Sequence, residues 1–328
     1  MSRRRGLVLL AALLLASVCI AVLVGETPLR AADYLTALTT PGSASGEILW
    51  TIRAPRAAMA ALIGAALGLS GAALQGLLRN PLADPGVLGV SASAGLGAGL
   101  AIALGLAAIP GAIEASALLG ALVAGALVVA LAARFREPET LILLGVSISA
   151  FAGALSSLVY NLSPSPVTTA EVLSWMLGSV ANRDWPDLLT TAIPAALGAA
   201  LVAWSARGLT MLTLGEETAA LSGLPMARLR AAAVGGAALL AGASVAAAGI
   251  IGFVGLAAPH LVRRFSGDDP GKTLLPSALA GAILLVLADL AARIIPTEQE
   301  LKLGVVTALF GAPLFALVAW RAARSWRS

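Results

Sequence analysis

Arg53 and Arg56 flank Ala54-Pro55 immediately ahead of a long apolar run. Guanidiniums at the edge of such a run either snorkel to lipid headgroups or take a carboxylate bidentately, and this pair suits both uses. Asp289 and Arg293 lie four residues apart in another apolar run. At that spacing opposite charges on a helix neutralise each other, and at membrane depth each is either a functional group or half of a structural pair. His260 is the sole histidine and Cys19 the sole cysteine. Neither a disulfide nor a Cys- or His-built metal centre can be assembled from them. His260, beside Pro259, reads as a packing or hydrogen-bonding group. Gly267-Asp268-Asp269-Pro270-Gly271-Lys272-Thr273 imitates a phosphate-binding loop. It has one residue too few between the first Gly and the Gly-Lys pair, and its two aspartates repel phosphate. No catalytic residue, metal or cofactor is assigned to the chain.

Two further loops carry information. Arg79-Asn80-Pro81-Leu82-Ala83-Asp84-Pro85-Gly86 is a tight turn in which Asn80 and Asp84 can bond exposed backbone amides. Leu214 to Pro225 contains Glu216 and Glu217 and is bounded by Gly215, Gly223 and Pro225. It is predicted to be a short amphipathic helix on the inner face, and serves either as an ordinary connection or as a handle for a soluble partner.

The elements that position these residues follow from composition. Of 328 residues, 59% are hydrophobic and 12% charged, about half the charge of a soluble domain. Mean hydropathy is +0.94, so a soluble enzyme and a disordered chain are both excluded. Aromatics at 4% argue against an outer-membrane barrel. Apolar runs of spanning length occur near 6–25, 57–77, 87–107, 113–133, 140–160, 188–206, 229–251, 274–295 and 303–320. The first is read as a retained anchor, because Leu7–Val24 is long for a secretory signal and no cleavage site follows. Both ends are basic, which requires an even number of crossings. The tenth is assigned to Gly252–Val262, interrupted by Pro259. Fifteen of the 21 Lys and Arg then fall inside, spread over many loops, which places them by the positive-inside rule and argues against nucleic-acid binding. The expected fold class is an all-α polytopic membrane protein of about ten transmembrane helices with both termini cytoplasmic. It forms a single transmembrane domain over 1–328, with 207–230 as a cytoplasmic segment inside it. Gly64, Gly68 and Gly71, and Gly235 with Gly242, are predicted to allow close helix packing.

Arg53–Arg56, Ser70-Gly71 with Gln75, Arg79–Gly89, Trp175–Ser179, Leu214–Gly223, Gly249–Arg264, Ala288-Asp289 and Glu300–Phe315 together resemble, in order, the FecCD family of bacterial ABC importer permeases. That family includes ferric-siderophore, vitamin B12 and haem permeases. The resemblance implies the B12-permease-like, type II importer fold, working as a homodimer with the path between its two copies. It implies two cytoplasmic ABC ATPase subunits, which bind the ATP and Mg, and a periplasmic or lipid-anchored substrate-binding protein, in the bacterial cytoplasmic membrane. Carried over by that resemblance, Arg53, Arg56 and Arg293 meet acidic residues of the binding protein. Gly215, Glu216, Glu217, Ala219, Leu221 and Gly223 belong to the helix that couples to the ATPase. Asn80 and Leu82 narrow the inner end of the path. On the fifth span Ser149, Gly153 and Ser156 share one face, suited either to a pore wall or to helix packing. Two positions depart from the family pattern: Lys302 stands where a proline is usual, and Asp269-Pro270 where Asp-His is common. The cargo expected from family frequency is an iron(III)–siderophore complex, with cobalamin or haem as alternatives. An ion-coupled secondary transporter is the rival of a different class, and it has little beyond Asp289 to work with.

Overall fold

The computed structural model describes residues 3–132, 138–163, 165–295 and 300–325. The described residues are helical and contain no strand. In chain order the helices are α1 (Arg3–Leu23), α2 (Ala31–Thr39), α3 (Ala44–Glu47), α4 (Ala54–Leu78), α5 (Val90–Ala103), α6 (Ala112–Ala132), α7 (Pro138–Asn161), α8 (Pro166–Met176), α9 (Trp185–Met211), α10 (Glu216–Leu221), α11 (Met226–Ala248), α12 (Val254–Ser266), α13 (Pro270–Ile294) and α14 (Leu303–Ser325). A π-helical turn, Ile48–Arg53, joins α3 to α4 without a break.

Seven of these helices are long and apolar enough to cross a membrane. The shorter apolar α5, the Leu303–Pro313 part of α14 and the half-length α12 bring the set to ten. An even set returns both chain ends to one side. The protein is a multi-pass membrane protein. Two of the expected polar loops contain helix: residues 44–53 extend α4 outward, and α8 lies within 161–187. The Gly249–Gly252 break leads into Phe253, a non-glycine residue with φ 67° that starts α12. That conformation is strained for a residue with a Cβ, and the Phe253 ring is received where Gly311 of α14 has no side chain.

Helices α4, α11 and α13 form the centre. Most of α11 is buried (83% of its most apolar 18 residues), whereas only 11% of the corresponding stretch of α7 is. Between lipid-soluble helices the hydrophobic effect supplies little, so close backbone approach and dispersion hold the bundle. Gly64 and Gly281 face each other so closely that a Cβ on Gly64 would sit 2.3 Å from the Gly281 carbonyl oxygen. Gly68 meets Ser277 in the same way. For α11, the expectation about Gly235 is corrected: Gly235 faces open space, and its neighbour Gly236 pairs with Gly198 of α9. One residue along a helix turns the contact by 100°, enough to exchange a packed face for an open one.

Candidate functional site

At the outer end, the chemistry-bearing residues gather into one buried cluster. Pro55 lies where the π-helical turn passes into α4; lacking an amide hydrogen it interrupts the ladder of that continuous helix, with Arg53 and Arg56 on either side of it. Arg56 grips Asp289 of α13 with two nitrogens: Nη2 to Oδ1 at 2.8 Å and Nε to Oδ1 at 3.0 Å. The same Nη2 also pairs with Glu300, just ahead of α14. Arg293 lies one turn beyond Asp289, its Nε 3.2 Å from Oδ2, an ion contact without hydrogen-bond alignment. Its Nη2 donates to the Ala21 carbonyl at 3.1 Å and its Nη1 to that of Val24 at 3.4 Å. Arg53 donates to the carbonyls of Leu23, at 2.8 Å, and Thr27.

The expected i,i+4 pair of Asp289 and Arg293 is therefore present and is extended by Arg56 and Glu300. Arg53, Arg56 and Arg293 are only 4%, 8% and 6% exposed, and all three are engaged from within the chain. Their guanidiniums are not presented at the surface, and what they visibly do is tie α1, α4, α13 and the start of α14 together. Three cations face two carboxylates, so the cluster carries an excess positive charge.

Three chain breaks are stitched together. Ser179 N donates to Ala248 O at 2.7 Å, Leu303 N to Gly178 O at 2.9 Å, and Gly304 N to Leu177 O at 3.1 Å. Gly178 sits at φ 72°, a backbone that favours glycine. This explains why Trp175–Ser179 reads as a motif: it is the seam on which α11 ends and α14 begins. Beside it lies a cavity of about 640 Å3 walled by Met176, Leu177, Ile250, Gly252, Val305 and Leu309. Lys302, at the position where proline is usual, gives its carbonyl to the Val305 and Val306 amides. A proline carbonyl would do the same, so the substitution leaves the helix start intact.

At the inner end the turn after α4 is built as its residues suggest. Asn80 Oδ1 accepts from Leu82 N at 2.9 Å, and Asp84 Oδ1 from Gly86 N at 2.8 Å. Asn80 and Leu82 are partly buried. Burial raises the Asp84 pKa and the Gly86 amide only partly opposes this. The residue as a whole keeps some exposure, but its Oδ2 lies against Gly255, so the lost hydration falls on the charged atoms. Gly267–Thr273 is the start of α13, not a phosphate loop. Asp269 caps that helix, accepting from Lys272 N at 3.3 Å and from Thr210 Oγ1 at 2.6 Å. Burial works to raise the Asp269 pKa, but Lys272 and Thr210 outweigh it and hold the carboxyl below its usual value.

The amphipathic helix expected between Gly215 and Gly223 is α10, with those glycines at φ 98° and 84°. Ala219 is its buried anchor, and Glu216 pairs with Arg230. Leu224 N returns to Ala219 O at 3.2 Å and closes the C-terminus in a Schellman turn. Glu217 points outward, and Leu214 and Leu221 stand 68% and 85% exposed beside it. On α7 the expected stripe is divided. Ser156 is buried and bonds Ala152 O, and Ser149 leans 3.5 Å from Gly86 O. Gly153 alone of the three is exposed, and the hydroxyls on the open face belong to Ser147 and Ser157, with Asn161 in line.

These features define a class: a polytopic helical permease, gathered at its outer end by buried ion pairs and offering a small helix at its inner face. The chain matches the FecCD transport family over residues 13–321 and belongs to it. It is 38% identical over 325 residues to the vitamin B12 import system permease protein BtuC of Salmonella typhimurium, covering 98% of this chain and 96% of that one. With the uncharacterized ABC transporter permease protein YvrB of Bacillus subtilis it shares 41% identity over 288 residues, 86% of this chain and 81% of that one. A solved inward-facing conformation of a putative metal-chelate type ABC transporter superposes with TM-score 0.85 at 31% identity, over 97% of this chain and 99% of that one. The protein is thus the permease subunit of an ABC importer and not itself an enzyme. Its class implies a separate ATPase and a substrate-binding protein. The ion-coupled alternative falls with that membership.

Proposed function

We propose that this chain carries a bulky metal chelate, in first place an iron(III)–siderophore complex, across the bacterial cytoplasmic membrane along a path between two copies of itself. The observation that carries this reading is the chemistry of the surfaces left open to such a path. The exposed face of α7 and the hollow beside the Trp175–Ser179 seam are lined mainly by Gly, Ala, Ser, Leu, Ile, Met and Val, with Phe151 and Asn161 on α7 and no charged side chain among the described residues there. A chelate whose own ligand shell screens its metal passes such a wall without forming an ion pair that would hold it.

Energy enters through α10, whose protruding Leu221 and acidic Glu217 fit a cleft on the ATPase, and Asn80 and Leu82 narrow the inner exit. The outer arginine cluster attracts an acidic binding protein through its surplus charge, and direct contact with Arg56 requires Glu300 to yield. Cobalamin is the second reading, favoured by the near-full-length similarity to a B12 import permease, and haem would meet the same wall.

The test is ATP hydrolysis by the reconstituted complex with its binding protein, comparing a ferric siderophore, cobalamin, haem and no ligand. Greatest stimulation by the siderophore supports the first reading. Stimulation by cobalamin or haem alone replaces the cargo and keeps the architecture.

A further inference from the structure

Helix α9 carries its own ruler for the membrane. Trp185, Leu189, Ile193, Leu197, Leu201 and Trp204 follow one another at helical spacing, and every one is exposed. The 19 steps from Trp185 to Trp204 rise about 28 Å at 1.5 Å each, close to the ~30 Å of bilayer hydrocarbon. Tryptophan settles where hydrocarbon meets headgroup. The stripe is therefore the lipid face of α9, and Trp185, at the end remote from the basic inner loop, marks the outer interface.

Two hydrogen bonds transfer that level to another part of the chain. Trp185 Nε1 donates to the backbone oxygen of Trp50 at 2.9 Å, and Trp50 Nε1 donates to that of Ala37 at 3.1 Å. Ala37 is the buried residue of α2, and Tyr34 of the same helix donates its hydroxyl to Leu23 at the outer end of α1. Helix α2 is thereby fixed at the height of the outer tryptophans.

Three faces of α2 are then distinct. Ala37 packs inward and Tyr34 turns to α1. Ala32, Thr36 and Thr39 form an open face of small and hydroxyl side chains. Between them Leu35 and Leu38, one turn apart, are 68% and 62% exposed, with Trp50 and Ile52 also open at this level. Water is a poor neighbour for that leucine pair, and at this depth the lipid acyl region is adjacent.

We propose that α2 is an interfacial helix that lays Leu35 and Leu38 into the outer leaflet, so that phospholipid forms the fourth side of the segment leading to Arg53. The charges of the 26–52 segment itself are Glu26, Arg30, Asp33 and Glu47, an acidic balance. The attachment is consequently apolar burial, not attraction to anionic headgroups.

The test places single nitroxide labels at Leu35, Leu38, Ala32 and Thr36 in a Cys19→Ala background. The full chain sits in phosphatidylcholine nanodiscs, and collision with oxygen is compared with collision with a water-soluble nickel chelate. The expected result is a several-fold higher oxygen-to-nickel ratio at Leu35 and Leu38 than at Ala32 and Thr36, unchanged at high salt. Equal nickel access at all four positions would overturn the proposal. So would labels at 35 and 38 that are nickel-accessible in the free permease and become immobilised only when the binding protein is added, which would make the face a protein-docking surface. Because a label could itself draw the helix into lipid, a second measurement labels Ala31 with and without Leu35→Ser and Leu38→Ser. Loss of oxygen access at residue 31 in the double variant is expected, and retention of it counts against the two leucines.

Discussion

Asp289 holds two guanidiniums in a place where water contributes little, and that determines what its loss would do. The side chain is 2% exposed and contacts both Arg56 and Arg293. Replacing it with alanine leaves those two buried cations facing, among the described residues, only Glu300, which is 29% exposed and pairs with Arg56. Removing one partner of a buried pair costs about 3–5 kcal/mol, because the remaining charge is left uncompensated. Asp289→Ala is expected to lower the thermal unfolding midpoint in nanodiscs far more than Glu300→Gln, with Asp289→Asn between them. Equal shifts for Asp289→Ala and Glu300→Gln would mean that Asp289 is not the centre of the cluster. The half of this arrangement that lies within one helix turn was legible from spacing. The other half joins residues 233 positions apart, and periodicity carries no information across such a distance. The burial of Arg53, Arg56 and Arg293 meets the same limit, since arginine at a span's edge reads identically whether its guanidinium points out or is drawn in by carbonyls and a carboxylate.

Among the elements, α10 was readable because glycine and proline bound it so sharply, whereas α2, α3 and α8 were taken into loops because their apolar content is too short to stand out from the spans beside them. The α7 stripe, given as either pore wall or packing surface, is divided between the two. Ser147, Ser156 and Ser157 each return their hydroxyl to the carbonyl four residues earlier. A serine satisfied in this way is neutral in its choice of neighbour, so hydroxyl spacing does not identify the wet face of a helix. On α10 the side chain with no internal duty is Leu221. Its exposure exceeds that of any other large hydrophobic residue described, on a helix of six residues whose stability comes from Ala219 and its Schellman closure. Leu221→Asp is therefore expected to leave the unfolding free energy within about 0.5 kcal/mol of wild type, as surface changes do. The same variant should weaken co-purification with the ATPase and abolish ligand-stimulated hydrolysis. Full coupling in Leu221→Asp would remove α10 from the energy-transfer path.

For the whole molecule, the count of ten helices was legible because each apolar run must span one bilayer and the basic ends demand an even number. What the pattern of hydrophobicity cannot distinguish is a helix facing lipid from one facing a second copy across an aqueous path, since both look open in a single chain. Helices α7 and α9 pose that question together. The open face of α9 is leucine and isoleucine between two tryptophans, the composition of a lipid contact, whereas that of α7 mixes Leu143, Val146 and Leu158 with Ser147, Gly153, Ser157 and Asn161. If two copies enclose the path against α7, water reaches its outer half. In a Cys19→Ala background, Ser157→Cys should then react with a membrane-impermeant thiol reagent in the assembled transporter, while Leu197→Cys, midway along the α9 stripe, should not. Bound chelate should slow the reaction at 157 by occupying the same space, and should leave an exposed outer position away from α7, such as Glu26→Cys, unchanged. An unreactive residue 157, with reactive control positions, would place α7 in lipid and move the dimer contact and the path to another face of the bundle.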